Sequence, residues 1–257
     1  AVAIENKVVQ AKINIVVPLL PHISNHTDFD TLRLNPEINL RYVKMGERIN
    51  DCELVILPGS KNVISDLKFL KEQGWQTDIE RHLRYGGKVF GICGGYQMLG
   101  KTISDPHGIE STLKTITGLG LLDIITELTP EKVLSQVSAT MKLGNDTCVV
   151  KGYEIHCGIS KHESKSEAEF ELNESAPPTA LLINKSDNQT TDGCVSKDNK
   201  IAGTYLHGIF DEGGATQLLV DWLDSNNDIQ KTINLNEHRE NQLERLAYVC
   251  AKHLKIS

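Results

Sequence analysis

Short apolar runs rich in β-branched residues punctuate the first hundred positions. INIVVPLL (13–20) reads as a strand buried on both faces. The polar, turn-rich PHISNHTDFDTL separates it from a weaker strand at LRYV (40–43). ELVILPGS (53–60) is a strong strand closed by Pro58-Gly59. Ser60 is placed to cap a helix over 61–72, where Val63, Ile64, Leu67 and Leu70 recur on one face. A second helix over 75–84 stops at Gly86-Gly87. KVFGIC (88–93) is the next strand, and YQMLG opens another helix.

The middle of the chain is less regular. Residues 103–125 and 133–160 read as loops and irregular strands, 160–179 as an exposed strand and loop, and 185–200 as a hairpin-like turn region. IAGTYLHGIF (201–210) is a strand running into His207-Gly208. Amphipathic helices are predicted over 213–225 and 235–254; in the first, Leu218, Leu219 and Trp222 share a face. Short strands alternating with helices predict an α/β fold with a doubly wound, mostly parallel sheet. Such sheets bind ligands at the carboxyl ends of their strands. The turns PGS (58–60) and CGG (93–95) both fall there.

Composition narrows the classes. The 257 residues are 39% hydrophobic and 24% charged, with a formal net charge of −7, which argues against a nucleic-acid-binding surface because that needs a basic face. None of the six cysteines forms a C-x-x-C pair and no Cys/His set has zinc-finger spacing, so no metal site is expected. There is no signal-peptide core, and no apolar run reaches the ~18–20 residues of a membrane span. No membrane contact and a reducing cytoplasm are expected.

GICGGYQMLGKT (91–102) admits two chemistries. From Gly95 it satisfies the phosphate-loop pattern G-x-x-x-x-G-K-[ST], with a candidate Walker B strand ending at Asp123. A phosphate cradle needs small or polar residues between its glycines, whereas Tyr96, Gln97, Met98 and Leu99 suit a packed helix. From Gly91 the same letters spell an elbow that presents a nucleophile on a strand-to-helix turn. Cys93 would sit at a helix N-terminus that lowers its pKa, with the Gly94 N–H aimed at an oxyanion. A cysteine nucleophile needs a base. On position alone His207, past an apolar strand, and His156, in GYEIHCG, both qualify.

LPGSKNVISDL, GICGGYQMLG, KGYEIHCG and GTYLHGIFD, in this order, resemble the glutamine amidotransferase domain of the CobB/CobQ-like branch of triad-type (class I) amidotransferases. ISNHTDFDTL and SDPHGIES narrow the likeness to the cobyric acid synthases. The resemblance runs from about residue 13 to 211. It implies a flavodoxin-like sheet of the class I type, with Cys93 as nucleophile, His207 as base, Gly59 and Gly94 as oxyanion-hole positions and Gln97 as a substrate-binding residue. Glutamine would form a thioester and release ammonia. The triad Glu expected two residues after the His is replaced by Ile209, which implies a Cys–His dyad with Glu154 or Asp211 as candidates to orient the imidazole.

The resemblance also implies partners. Residues 1–12 are expected to be linker and 13–257 the glutaminase domain, with the family's N-terminal phosphate-loop ligase domain outside this chain. No cofactor is expected in this domain. ATP and Mg²⁺ would serve the ligase, which amidates carboxylates of adenosyl-cobyrinic acid a,c-diamide in cobalamin biosynthesis. Ammonia would cross by a channel or a tight domain contact, and the isolated domain would be weakly active or inactive. The alternatives are a glutaminase for cell-wall lipid precursor amidation, a silent docking module, and the nucleotide-binding protein of the phosphate-loop pattern.

Overall fold

The computed structural model describes residues 11–162, 181–184, 191–223 and 235–253. Residues 1–10 of the linker expected at 1–12, most of the stretch expected at 160–179, and residues 185–190 of the turn region expected at 185–200 lie outside them. The central layer is built from β1 (Ile13–Pro18), β2 (Ile38–Val43), β3 (Leu54–Leu57) and β4 (Lys88–Ile92), joined later by β13 (Cys194–Val195) and β14 (Ile201–Thr204). Its strand order is β13-β14-β4-β3-β1-β2, with every pairing parallel except β13 on β14. The parallel strands therefore run 2-1-3-4 and then β14, the flavodoxin-like order expected. All four residues of β3 are buried. Full burial of such Leu, Ile or Val side chains stabilises by roughly 1.5–3 kcal/mol each.

The β3-to-β4 crossover carries α2 (Val63–Glu72) and α3 (Trp75–Arg84). The cap of α2 is Asn62, whose side chain accepts the Ser65 N–H, and not Ser60. Ser60 serves the loop instead: its hydroxyl donates to Asp66 at 2.6 Å and accepts from the Asn62 N–H at 3.0 Å. The polar stretch after β1 folds into a 3-10 turn at His26–Phe29 and a short helix, α1 (Asp30–Leu34).

The middle of the chain is more regular than its composition indicates. β5 (Thr102–Ser104), β6 (Thr115–Thr117), β7 (Ile124–Glu127) and β10 (Ile159–His162) form a four-stranded sheet. β8 (Val133–Leu143) and β9 (Asp146–His156) pair antiparallel along eleven residues each. A two-residue Gly144-Asn145 loop joins them, with Gly144 at φ 63°. Val137, Ala139, Met141 and Leu143 are buried in strict alternation, the period-2 pattern of a one-sided strand. With β11 (Leu182–Asn184), β12 (Thr191–Asp192) and β15 (Leu206–His207) they make a third sheet. The expected terminal helices are α5 (Gly213–Leu223) and α6 (Leu235–His253). Among the described residues no helix is long and apolar enough to cross a membrane.

Register lines up the strand ends that matter. Leu57 of β3 and Thr204 of β14 stand beside Gly91 and Ile92 of β4, so residues 58–60, 93 and 205–207 leave the sheet at one edge. α4 (Gly94–Leu99) follows β4 and packs against β3 so closely that a Cβ on Gly95 would lie 2.1 Å from the Leu57 carbonyl oxygen. Backbone cannot yield there as a flexible side chain would. Gly95→Ala is expected to destabilise the fold by roughly 3 kcal/mol. A thermal midpoint equal to that of the parent protein would contradict this packing.

Candidate active site

Cys93 occupies the turn between β4 and α4 at φ 50°, ψ −109°. A non-glycine residue at positive φ costs on the order of 1–3 kcal/mol and persists only where its surroundings hold it. Here the Cys93 N–H donates to the Thr204 carbonyl at 2.8 Å, and the Gln97 N–H donates to the Cys93 carbonyl at 3.0 Å. The Gly94 N–H is directed at the thiol. A Cβ on Gly94 would lie 2.9 Å from the Ser60 nitrogen, so glycine is what lets the two turns meet.

His207 lies three residues beyond Thr204, in β15, paired with Tyr153 of β9. Its ring stacks on Tyr153 at a centroid distance of 5.5 Å. Its Nδ1–H donates to Asp28 Oδ2 at 2.7 Å, and the Gly208 N–H donates to Asp28 Oδ1 at 2.9 Å. Both side chains are buried. With Nδ1 holding the proton, Nε2 is the basic nitrogen. The Asn25 amide lies 3.0 Å from Nδ1, where an already donating N–H calls for the amide oxygen. Gly59 touches the other side of the ring: a Cβ there would sit 2.9 Å from His207 Cε1. Pro58-Gly59-Ser60 thus bridges the histidine and the elbow.

The carboxylate hydrogen-bonded to the His207 ring is Asp28, where Glu154 or Asp211 was expected. Glu154 lies beside His156, 3.9 Å from its Nε2. Asp211 closes the turn after His207, its N–H donating to the Gly208 carbonyl at 3.0 Å. Ile209 is fully buried. The rival base His156 has its Nδ1–H donated to the Gly158 carbonyl at 2.9 Å and its ring stacked on Tyr205. The phosphate-loop pattern forms no nest. Its first five residues are helical and buried, and Lys101 pairs with Asp123 at 2.6 Å.

Cys93 and Gln97 border a cavity of about 270 Å³, shared with Ser60, Lys61, Glu110 and Ile155. Glu110 is carried by a loop wound on buried Asp105, whose carboxylate accepts the N–H groups of Ile109, Glu110 and Ser111 at 2.7, 2.9 and 3.0 Å. Its own Oε2 accepts the Ile64 N–H at 3.2 Å. Burial pushes the Glu110 carboxyl up, and no cation among the described residues pairs with it. Asp28 and Glu110 were not singled out by sequence. Their signal was present in TDFD and DP-x-G-x-E, but neither segment reveals which residue it will face.

The electrostatics of the thiol differ from expectation. Burial pushes Cys93 up to about 12, and the nearby Asp28 charge adds to the rise; the Gly94 N–H opposes both. Desolvation outweighs the start of a six-residue helix. The resting residue is a neutral thiol.

Residues 14–215 match the family of CobB/CobQ-like glutamine amidotransferase domains. The chain is 47% identical over 247 residues to the cobyric acid synthase of Vibrio campbellii, covering 96% of this chain and 48% of that protein. It is 45% identical over 249 residues to that of Aliivibrio fischeri, with 96% and 48% covered. It therefore spans about half the length of the curated relatives it matches. Two solved structures share the fold: PurLQS from Thermotoga maritima, with TM-score 0.60, 15% identity and 83% and 100% of the two chains covered, and a glutamine amidotransferase, with TM-score 0.54, 16% identity and 81% and 97% covered.

A buried thiol sets a pH signature. Alkylation of Cys93 by iodoacetamide, followed site by site by mass spectrometry, is expected to keep climbing about tenfold per unit through pH 8–10, where an ordinary thiol of pKa ~8.5 levels off. A plateau below pH 9 would mean that the thiolate is already stabilised at rest.

Proposed function

The chain belongs to the CobB/CobQ-like glutamine amidotransferase family, and from that premise we propose that it is the ammonia-supplying glutaminase half of a cobyric acid synthase. What supports this reading is that the Cys93 elbow and the Asp28–His207 pair leave the sheet at one edge, with the Gly59-Ser60 turn lying against both. The catalytic residues proposed are Cys93 and His207, with Asp28 positioning the imidazole.

In this reading His207 Nε2 takes the Cys93 proton as sulfur attacks the side-chain carbonyl carbon of glutamine. Proton and attack move together because the resting thiol is neutral. The oxyanion is received by the Gly59 and Gly94 N–H groups. The C–N bond then breaks, the imidazolium returns its proton to the departing ammonia, and a glutamyl thioester remains. His207 next deprotonates water, which attacks the thioester and releases glutamate and the thiol. Asp28 stabilises the imidazolium in both halves. Glu110, a cavity carboxylate with no ion pair among the described residues, takes the α-ammonium of the substrate together with Gln97.

Ammonia passes to a partner ligase domain, which uses ATP and Mg²⁺ to amidate adenosyl-cobyrinic acid a,c-diamide. The half-length match to cobyric acid synthases supports such a partner, and their identity level favours this acceptor over a cell-wall lipid precursor. A reducing cytoplasm is the setting proposed, one that keeps a nucleophilic thiol intact.

In the full-length enzyme Cys93→Ser is expected to abolish glutamine-dependent amidation and to leave ammonia-dependent amidation intact. Equal loss of both would contradict the division of labour. A glutamine-like electrophile should label Cys93; absence of labelling would favour the silent docking module. Asp28→Asn is expected to lower kcat for glutamine roughly 10²–10⁴-fold with little change in KM. A kcat within twofold of the parent's would remove Asp28 from the mechanism.

A further inference from the structure

One wall of the Cys93 cavity continues inward as a line of hydrogen-bonded side chains. Gln97 Nε2 donates to the Tyr205 hydroxyl at 3.1 Å. That hydroxyl lies 2.7 Å from Ser160 Oγ, which lies 2.6 Å from Thr126 Oγ1. Gln97, Tyr205 and Thr126 are each at most 6% exposed. A hydroxyl carries a single proton. When the Tyr205 oxygen accepts from Gln97, its proton goes to Ser160, and the Ser160 proton goes to Thr126. Each contact then has one donor and one acceptor.

The Tyr205 ring is itself clamped. His156 stacks on it at 3.8 Å between centroids, and Tyr96 meets it edge-on at 5.3 Å. Gly158 leaves room for the amide nitrogen, because a Cβ there would lie 2.6 Å from Gln97 Nε2. Removing the hydroxyl alone would therefore spare the packing and free the carboxamide to turn over.

We propose that Tyr205, Ser160 and Thr126 form a positioning relay that holds the Gln97 carboxamide with its nitrogen toward the protein and its oxygen toward the cavity. That oxygen accepts a hydrogen bond from the α-ammonium of the substrate. A turned carboxamide would offer N–H groups to an ammonium, donor against donor. The relay thus selects for an amide substrate that carries a free α-amino group. The inference deepens the glutaminase reading and rests on it.

The test uses the full-length enzyme and the protection of Cys93 from iodoacetamide, measured against each variant's own unprotected rate. Two ligands are compared: glutamine, and glutaramate, which has the same amide and carboxylate but no α-amino group. Tyr205→Phe is expected to weaken protection by glutamine about tenfold while changing that by glutaramate less than about twofold. Ser160→Ala, which frees the Tyr205 proton to point at Gln97, is expected to act in the same direction and supplies the reading if Tyr205→Phe does not fold. Equal weakening of both ligands, or none, would overturn the relay. Failure of glutamine to protect the parent enzyme is a different result: it would sink the glutaminase reading, and the relay with it.

Discussion

The site depends on one bend of backbone, Cys93 at φ 50°, ψ −109°. An L-residue does not rest there unaided. Three neighbours hold it: the Thr204 carbonyl accepts its N–H, the first turn of α4 returns to its carbonyl, and Gly95 lies against β3. These contacts come from strands β3, β4 and β14, the centre of the sheet. The strain is thus opposed by the best-buried part of the molecule, and the sulfur is presented where the strands end.

The opposing side of the site is assembled from loops tied to one another. The Ser24 N–H donates to the Gly59 carbonyl and the Lys61 N–H to the His22 carbonyl, so residues 22–24 run along residues 59–61 like a short added strand. Beneath them fully buried Asp66 accepts from the His22 N–H, the His22 ring and the Ser60 hydroxyl. One carboxylate therefore fixes both loops. The first carries Asp28 to the imidazole, and the second sets Gly59 and Ser60 against His207 and the elbow.

Polar groups around the cavity fall into two kinds. Some are fully committed inside the protein, as Asp105 is to its own loop. Others retain capacity toward the cavity: a carboxylate has about four acceptor directions, and Glu110 spends only part of them on the backbone at the start of α2. The thiol belongs with the second kind. Burial holds the thiol in its neutral form.

Much of this was legible in the chain. The elbow is a local property, written in three glycines around Cys93, and β1 and β3 are continuous apolar runs that belong in the interior. His207 follows from its place just beyond such a run. The hairpin of β8 and β9 was legible in principle, through alternation broken by Gly144-Asn145, but exposed strands have too few apolar residues to stand out. The partner of His207 was not legible, because Asp28 lies 179 residues away and only loop pairing delivers it. The sign of the thiol's shift was also a tertiary decision: a helix start is visible in sequence, but the depth at which it is buried is not. Sequence by itself determined which groups could react, since local backbone needs specify them. Tertiary structure decided which group faces which and whether water reaches them, because distance and dielectric depend on segments far apart in the chain.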